Sequence, residues 1–367
     1  MLICSQTQHS VIPQLIKRKH LGIFRFLQLR ENLIDFASND YLGLAKSSKL
    51  KQAVFSEWKS LRSFGSTGSR LLTGNNSYVQ HLEESIAAFH GFEAGLIFNC
   101  GYMANLGLAS SIASKDDVFL YDTNIHASLH EGIRISRAKA FPFRHNDVKH
   151  LEARLKKIPK KRNLYICIES IYSTNGSIAP LGDIFHLSQT YGAHLIVDEA
   201  HAIGILGKDG RGIVFDSGLS GKIFAQIVTF GKALGAFGAI ILGNQSLKEI
   251  LINFAKSFIY TTALPFPCLA AIKCSYELFP QLETERNHLQ DLIQIANFSK
   301  TPIQPIPVKN NNAAHTLVSK ISHEGFDVRA FLSPTVPRGK EILRITLHTF
   351  NSKEELEKLL KLMRQYV

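Results

Sequence analysis

The sequence predicts an α/β fold, in which helices cover both faces of a mostly parallel sheet. From Ile97 onward, short apolar runs alternate with longer amphipathic ones. Continuous apolar runs of this length are typical of strands buried on both faces, and the patterns at Val148 to Ile158 and Leu181 to Tyr191 are typical of helices. The expected strands are Gly95 to Phe98, Asp117 to Tyr121, Asn163 to Glu169, His194 to Asp198, Ile227 to Phe230 and Gly238 to Leu242.

The length of the chain and a change in its pattern predict a large domain followed by a smaller one. At 367 residues the chain exceeds what one ordinary hydrophobic core supports. After Pro265 a helical pattern runs from Cys268 to Asp291, a proline-rich stretch follows, and Lys353 to Tyr366 predicts a last helix. We expect an N-terminal segment (1–38), a large α/β domain (39–267) and a small C-terminal α+β domain (268–367).

The chain is strongly basic, with a formal net charge of +12 and a pI near 9.4. Such a charge attracts polyanions. The basic residues are scattered, however, and the densest runs, Lys17 to His20 and Lys156 to Arg162, contain no interleaved aromatics on which bases could stack. The pattern argues against a nucleic-acid partner and favours a solvated surface, which would also suit an anionic substrate such as a coenzyme A thioester.

The cysteines, the N-terminus and the longest apolar stretch predict a protein of the reducing cytoplasm. The five cysteines include no CxxC pair, so neither a disulfide framework nor a metal site is indicated. Met1 to Leu15 lacks the apolar core of a signal peptide. Ile223 to Gly243 is interrupted by Lys232 and several glycines, which favours buried strands and turns over a membrane span.

An acid and a histidine follow one of the expected strands. Asp198 ends the strand and His201 comes three residues later, so both should face the crevice beyond the edge of the sheet. There the acid could hold a positive nitrogen while the imidazole donates to an oxygen, although a strand-end acid that caps the next helix is the ordinary alternative. The DEAH letters also occur in helicases. Those proteins need an upstream phosphate loop, GxxxxGK[ST], and the strings at Gly65 to Arg70 and Gly218 to Lys222 fail that pattern.

A lysine in a glycine-rich turn follows the next expected strand. Lys232 comes two residues after Phe230. An amine in such apolar surroundings is desolvated and becomes available to form a Schiff base, whereas a surface lysine is the alternative. The hydroxyl of Thr229, which is placed to contact a phosphate, and the acid strand one βαβ step earlier favour the catalytic interpretation.

Three further strings could complete a cofactor site. Gly101 and Tyr102 follow a strand and begin a helix, so their backbone N–H groups can hold a phosphate. His126 could lay its ring on a planar cofactor, with a helix cap or a core histidine as the equal alternative. Ser173 follows the strand that ends at Glu169 and could donate to a ring oxygen, although a turn-forming serine would look the same.

Together these strings resemble the α-oxoamine synthases, a branch of the fold-type I pyridoxal-phosphate enzymes. The order and spacing match from about Asp35 to Thr346, which covers most of the chain. Any one string could occur by chance, whereas eight in the order of the family should not. The strings are Ser38-Asn39-Asp40-Tyr41-Leu42-Gly43-Leu44, Gly65-Ser66-Thr67-Gly68-Ser69-Arg70, Cys100-Gly101-Tyr102-Met103-Ala104-Asn105, His126-Ala127-Ser128, Asp198-Glu199-Ala200-His201, Thr229-Phe230-Gly231-Lys232, Tyr260-Thr261-Thr262-Ala263-Leu264-Pro265 and Pro334-Thr335-Val336-Pro337.

The resemblance implies a fold-type I transferase with pyridoxal 5'-phosphate as its cofactor, and it assigns catalytic roles. Lys232 would carry the cofactor and act as general base. Asp198 would keep the pyridinium nitrogen protonated, so that the ring becomes an electron sink. His201 and Ser173 would hydrogen-bond the phenolic oxygen, and His126 would stack over the ring.

The resemblance also assigns residues to the phosphate and to the amino-acid substrate. The residues implied for the phosphate are Thr229, the amides of Gly101 and Tyr102 and, from a second subunit, Thr262. The residues implied for the substrate are Asn39, Thr346 and Arg344, whose guanidinium fork matches a carboxylate. Arg18 and Arg25 compete for the contact that the family makes with the acyl substrate.

Within the branch, the chain most resembles the biotin-pathway enzymes that join L-alanine to pimeloyl-CoA or pimeloyl-acyl carrier protein with loss of CO2. The strings Thr229 to Lys232, His145 to Asp147 and Phe258 to Pro265 favour this member. A homodimer with active sites at the interface is implied. Two alternatives stay open: a synthase such as 2-amino-3-ketobutyrate CoA ligase, which uses glycine and acetyl-CoA, and a non-catalytic partner subunit. The retained Lys232 argues against the second.

Overall fold

The computed structural model describes residues 12–25, 27–59, 63–159 and 162–366, and the chain divides into two compact units. The larger unit is formed by Asn39–Gln290 with His348–Phe350. The smaller unit is formed by the chain up to Ser38, by Asp291–Leu347 and by the residues after Phe350. Outside the described residues lie Cys4, most of the N-terminal stretch in which no signal peptide is expected, and part of the second basic run.

The strands are numbered in chain order. They are β1 (Ile34–Asp35), β2 (Ala94–Phe98), β3 (Val118–Asp122), β4 (Lys139–Phe143), β5 (Leu164–Glu169), β6 (His194–Asp198), β7 (Ala225–Thr229), β8 (Ala239–Gly243), β9 (Ile303–Pro307), β10 (Phe326–Asp327), β11 (Arg329–Phe331) and β12 (Ile342–Thr346).

The α-helices are numbered in the same way, and short 3-10 helices lie at Leu44–Lys46, Lys208–Gly210 and Phe279–Gln281. The α-helices are α1 (Ile12–His20), α2 (Ser48–Lys59), α3 (Ser77–His90), α4 (Gly101–Ile112), α5 (Ala127–Ser136), α6 (Val148–Leu155), α7 (Leu181–Tyr191), α8 (Ile213–Asp216), α9 (Gln245–Phe254), α10 (Lys256–Ile259), α11 (Phe266–Leu278), α12 (Glu283–Ala296), α13 (Asn311–His323) and α14 (Lys353–Tyr366).

The larger unit is built on a seven-stranded sheet with the strand order β2-β8-β7-β6-β5-β3-β4. From β7 to β4 all neighbours pair in parallel, whereas β8 runs antiparallel to both β7 and β2. The six expected strands are β2, β3, β5, β6, β7 and β8. The predicted α/β class with a mostly parallel sheet is confirmed.

Burial explains which strands could be predicted from the sequence. Every residue of β2, β5, β7 and β8 is buried, and these strands consist mostly of apolar residues, with Gln226 in β7 as an internal exception. The edge strand β4 was missed because four of its five residues are exposed. It also contains Pro142, which a sheet tolerates at an edge.

Helices α4 and α5 pack closely against each other beside this sheet. Leu108 of α4 and Leu129 of α5 are fully buried in a core cluster with Phe119 of β3. A Cβ atom on Gly132 of α5 would lie 2.9 Å from the backbone oxygen of Asn105 in α4, so only glycine permits this approach. The packing fixes the first turns of the two helices relative to each other.

Among the described residues, the smaller unit contains two short sheets together with α1, α13, α14 and the end of α12. β1 pairs in parallel with β10, and β11, β12 and β9 form an antiparallel sheet with β12 in the centre. The side chain of Arg30 lies 2.9 Å from Asp327 Oδ1, and Asn351 donates to the backbone oxygen of Asp35. These contacts attach the segment before Asn39 to this unit.

The boundary between the units differs from the expected position after residue 267 and falls after Gln290. α11 groups with the larger unit because its buried face packs there. Ser275 donates to the backbone oxygen of Leu234 at 2.7 Å, and Lys273 lies 2.8 Å from Glu57 of α2. A change in helix pattern along the chain therefore did not mark the change of unit.

The described residues contain neither a membrane-spanning helix nor a metal-binding cluster. No helix there is both long and apolar enough to cross a membrane. Cys100, Cys167, Cys268 and Cys274 are free thiols. No cluster of three or more His, Cys, Asp or Glu side chains that could hold a metal ion is found in that part of the chain.

A fully buried acid, Glu83, joins three elements of the larger unit. Its Oε1 accepts from Arg70 at 2.7 Å and from the backbone N–H of Ile97 at 2.9 Å. Its Oε2 lies 3.2 Å from Lys248 of α9. The loop before α3 is thus tied to β2 and α9 through one carboxylate.

Replacement of Glu83 by Gln should lower the free energy of unfolding by roughly 3 kcal/mol, because it leaves the mostly buried Arg70 without its charged partner. Urea unfolding measures this change. The neighbouring exposed residue offers a matched control, and Glu84→Gln should stay within about 0.5 kcal/mol of wild type. Equal losses in both variants would contradict the interpretation.

Candidate active site

Four polar residues end adjacent parallel strands and therefore lie at one edge of the sheet. Asp122 ends β3, Glu169 ends β5, Asp198 ends β6 and Thr229 ends β7. Glu169 and Asp198 are register partners across the sheet. Ligands of open parallel sheets bind beyond this carboxyl edge. Two of the four, Asp198 and Thr229, are residues that the sequence predicted for the site.

Asp198 is held by a chain of buried hydrogen bonds. Its Oδ2 accepts from the amide of Asn105 at 2.8 Å, and its Oδ1 accepts from the backbone N–H of Ala200 at 2.9 Å. The same Asn105 amide donates to Ser128 at 3.0 Å, and the Ser128 hydroxyl lies 2.7 Å from His126 Nδ1. Asp198 and His126 are thus oriented by a single network.

His126 is a neutral ring at this network's outer end. Desolvation by the surrounding protein lowers the pKa of His126. The nearby Asp198 raises this pKa, but only partly offsets the effect. The backbone N–H of Ser128 also donates to Nδ1, at 3.3 Å. Because Nδ1 accepts, the neutral ring carries its hydrogen on Nε2. The ring of Tyr102 stands edge-on at 6.4 Å.

His201 is buried and meets a tyrosine from the beginning of the larger unit. The hydroxyl of Tyr41 lies 2.6 Å from His201 Nδ1 and also donates to Asn39 Oδ1 at 3.4 Å. This contact fixes the direction of the ring. It also brings Asn39, a predicted substrate residue, to the vicinity of His201.

Lys232, Thr229 and the first turn of α4 form a cradle. Lys232 Nζ donates to Thr229 Oγ1 at 3.2 Å. A Cβ atom on Gly101 would lie 2.5 Å from the methyl group of Thr229, so the helix begins against this side chain. Cys100 at the N-cap supplies no side-chain hydrogen bond. The first N–H groups of α4 therefore remain available for an anion.

Glu169 is a second buried acid beside Asp198. Burial, together with the charge of Asp198, raises the pKa of Glu169 to about 8. Its Oε2 accepts from the backbone N–H of Ser173 at 3.0 Å. Glu169 therefore holds the turn that carries Ser173, and at neutral pH it does so mainly as an uncharged acid.

Thr262 lies near the cradle within the same chain. Asn99, two residues before Gly101, donates to the backbone oxygen of Thr262 at 2.9 Å, and Thr262 forms a bridge with Ser69. The Thr262 side chain is exposed. Its contact across a subunit interface stays a prediction.

Arg344 and Thr346 lie in the smaller unit, on its central strand β12. Both are buried, and the Arg344 guanidinium lies 5.7 Å from the ring of Phe331. Their contact with a substrate stays a prediction.

The residues at the sheet edge suit pyridoxal 5'-phosphate. An acid for a ring nitrogen, an imidazole for a ring oxygen and a lysine for an aldehyde converge beside a helix N-terminus and a threonine hydroxyl. The absence of Cβ at Gly101 gives the phosphate side of this cradle its form. The residues present fit the group.

The comparison with known proteins gives the same class. The profile of the family Aminotransferase class I and II matches residues 31–362, so the chain belongs to this family. Its class is therefore a fold-type I pyridoxal-phosphate transferase.

An 8-amino-7-oxononanoate synthase of Emericella nidulans is 39% identical over 369 residues, which cover 91% of this chain and 89% of that protein. An 8-amino-7-oxononanoate synthase of Saccharophagus degradans is 38% identical, over 90% of this chain and 86% of that protein. Within the family, the chain belongs with the 8-amino-7-oxononanoate synthases.

Solved structures with a similar fold belong to the same class of enzyme. A serine palmitoyltransferase of Sphingomonas wittichii superposes with a TM-score of 0.90 at 26% identity, covering 99% of this chain and 98% of that one. An 8-amino-7-oxononanoate synthase of Francisella tularensis gives a TM-score of 0.79 at 31% identity, covering 92% and 100%. The resemblance stated from the sequence motifs is confirmed.

Three functional contacts were missed by reasoning from the sequence. Asn105 and Tyr41 stand inside quoted motifs, but nothing in the letters showed that they bind Asp198 and His201, which lie 93 and 160 positions away. Glu169 was noted only as a strand end. An acid at the end of the strand next to that of Asp198 was the available signal.

The buried proton of Glu169 predicts a specific dependence of stability on pH. The folded pKa of about 8 lies above that of an exposed glutamate, so the stability from this proton is complete in acid and is lost as pH rises towards 8. Glu169→Gln keeps the acceptor for Ser173 and cannot lose a proton. Urea unfolding from pH 5 to 8.5 should show wild type losing up to about 1.4 kcal/mol per pH unit relative to the variant. Parallel pH profiles of the free energy of unfolding in wild type and Glu169→Gln would contradict the prediction. Glu199, whose pKa burial raises to about 7, is present in both proteins and cancels in the comparison.

Proposed function

We propose that this chain condenses L-alanine with a pimeloyl thioester, with loss of CO2, to form 8-amino-7-oxononanoate. The names of its relatives supply the reaction. The observation that supports it is the convergence of Lys232, Asp198 and His201 at one sheet edge, beside the cradle formed by Thr229 and Gly101. These are the groups that the reaction requires.

When bound, pyridoxal phosphate supplies an aldehyde for the substrate amine and a ring that withdraws electrons from the amino acid's α-carbon. Asp198, which Asn105 holds, would keep the ring nitrogen protonated. His201 and Ser173 would hydrogen-bond the ring oxygen. Thr229 and the amides of Gly101 and Tyr102 would bind the phosphate.

Lys232 is the base of the reaction. Its amine would hold the cofactor, and Nζ would accept the α-proton of the amino acid and return a proton to the product. Its hydrogen bond to Thr229 places the amine at the cradle, within reach of a group bound there. His126 packs on the ring, and the hydrogen on its Nε2 can donate to the thioester oxygen.

The remaining assignments concern the substrates and the assembly. Arg344, Thr346 and Asn39 bind the amino acid, and Arg18 or Arg25 meets the acyl group, whose carrier is coenzyme A or an acyl carrier protein.

We expect a cytoplasmic homodimer in which Thr262 reaches the partner's phosphate. In support, Leu72 and Tyr260 near the Ser69–Thr262 bridge are 79% and 80% exposed, as apolar residues at an interface would be in an isolated chain.

Replacement of Gly101 by Ala should weaken the binding of pyridoxal phosphate by roughly tenfold, which corresponds to about 1.4 kcal/mol. The added methyl group would push against Thr229 and displace the phosphate contacts. Fluorescence titration of the apo-protein measures this affinity.

The control for that experiment is Gly182→Ala in α7, where an added Cβ meets nothing within 4 Å. It should bind the cofactor as wild type does. Unchanged affinity in Gly101→Ala would show that this turn does not hold the phosphate.

Replacement of Lys232 by Ala should reduce the release of thiol from pimeloyl-CoA in the presence of L-alanine by about 10²-fold or more, because the general base is lost. The exposed Lys222 provides a matched control, and Lys222→Ala should retain full activity. Thiol release is followed for the purified holo-proteins, with circular dichroism as the check on folding.

The same assay with glycine and L-serine, and with acetyl-CoA, tests the choice of substrate. Activity only with glycine and acetyl-CoA would keep the chemistry but replace the proposed substrates. A wild-type protein that binds no pyridoxal phosphate would overturn the whole proposal.

A further inference from the structure

Three loops follow three neighbouring parallel strands of the larger unit. β5, β3 and β4 lie side by side at the end of the sheet. The loop after β3 leads to His126, and the loop after β5 carries Ser173. The loop after β4 carries neither of these residues, and its His145 has no part in the chemistry described above.

His145 contacts both of the other loops. Its Nδ1 lies 2.9 Å from Asp122 Oδ1, at the end of β3. Its Nε2 lies 2.7 Å from the hydroxyl of Ser177, in the loop after β5. The edge of its ring also packs against Tyr172, with the ring centres 4.4 Å apart. One imidazole therefore bridges the ends of three strands.

On one side, the contact fixes the backbone that leads to His126. Asp122 is fully buried, and its Oδ1 also accepts from the backbone N–H of Asn124, two residues before His126. Its Oδ2 accepts from the backbone N–H of Asn146, next to His145. The carboxylate thus joins the loop after β3 to the loop after β4.

On the other side, the contact reaches the turn that carries Ser173. The Ser177 hydroxyl donates to Asn175 Oδ1 at 2.8 Å, and the backbone N–H of Tyr172 donates to the Ser177 oxygen at 3.0 Å. Tyr172 directly precedes Ser173, whose own N–H is held by Glu169. Movement of His145 would therefore release both His126 and Ser173.

We propose that His145 is a positioning residue, which holds the loops of His126 and Ser173 in register without touching substrate or cofactor. The inference rests on the proposed function for its effect on the rate, but its effect on the two loops and on cofactor affinity is independent of the substrates.

The distances among Asp122, His145 and Ser177 also match those of a hydrolytic triad. A positioning role for His145 is favoured because the Ser177 hydroxyl already donates its hydrogen to Asn175 in the same turn. Labelling of Ser177 by a fluorophosphonate in the intact protein would overturn this view, and absence of labelling is expected.

The test compares His145→Ala, His145→Gln and Ser177→Ala with a control, His150→Ala. His150 lies in the first turn of α6, and its Nδ1 accepts from the backbone N–H of Arg144, so it matches His145 in type and location. Three quantities are measured: hydrogen exchange of the apo-protein over 122–128 and 170–178, the dissociation constant of pyridoxal phosphate, and kcat and KM for L-alanine in the holo-protein.

We expect His145→Ala to exchange faster in both segments, to bind the cofactor about tenfold more weakly, and to lose about 10- to 100-fold in kcat with little change in KM. His145→Gln should recover part of each loss, since its amide can reach one of the two partners. Ser177→Ala should loosen mainly 170–178, and His150→Ala should behave as wild type.

A folded His145→Ala protein with wild-type exchange in both segments, or with wild-type cofactor affinity and kcat, would overturn the inference. If wild type fails to release thiol from any of the substrates, the proposed function fails instead. Hydrogen exchange and cofactor affinity would then still decide the role of His145.

Discussion

The site depends on the burial of Asp198, because an acid removed from water must be hydrogen-bonded. Asn105 satisfies this acid from the second turn of α4. The first turn of the same helix begins at Gly101, against Thr229. A single helix therefore connects Asp198 to the turn at Gly101, the two positions proposed to hold the ring nitrogen and the phosphate of the cofactor. The Asn105 amide fixes the distance between α4 and Asp198. Because α4 packs against α5, it also restrains His126, which directly precedes α5.

The parallel register places a second acid beside the first. Glu169 and Asp198 are partners on adjacent strands, and two buried negative charges at this spacing would repel strongly. The raised pKa of Glu169 removes one of these charges at neutral pH. Glu169 can then hold the Ser173 turn by a hydrogen bond, and Asp198 is left as the acid proposed to face the ring nitrogen. Burial thus gives two chemically similar residues different roles.

The sequence predicted the components of this site better than their connections. The central strands were predictable because both faces are buried, and Asp198, Thr229 and Lys232 follow from their strand ends. β4 is exposed and contains a proline, so its pattern resembles a loop. The pairs Tyr41–His201 and Asn105–Asp198 join distant parts of the chain, and no local pattern encodes such contacts.

Two titratable groups near the proposed base Lys232 have pKa values that the protein shifts towards their uncharged forms. Burial lowers the pKa of His126 and raises that of Glu169, so both groups are mainly uncharged at neutral pH. In the proposed function, Asp198 would then face the ring nitrogen without a second charged acid beside it. A charged His126 would add a positive neighbour to Lys232, and a charged Glu169 would compete with Asp198. The hydrogen bonds that position these neutral groups, through Ser128 and Ser173, are therefore part of the electrostatic design of the site as much as of its geometry.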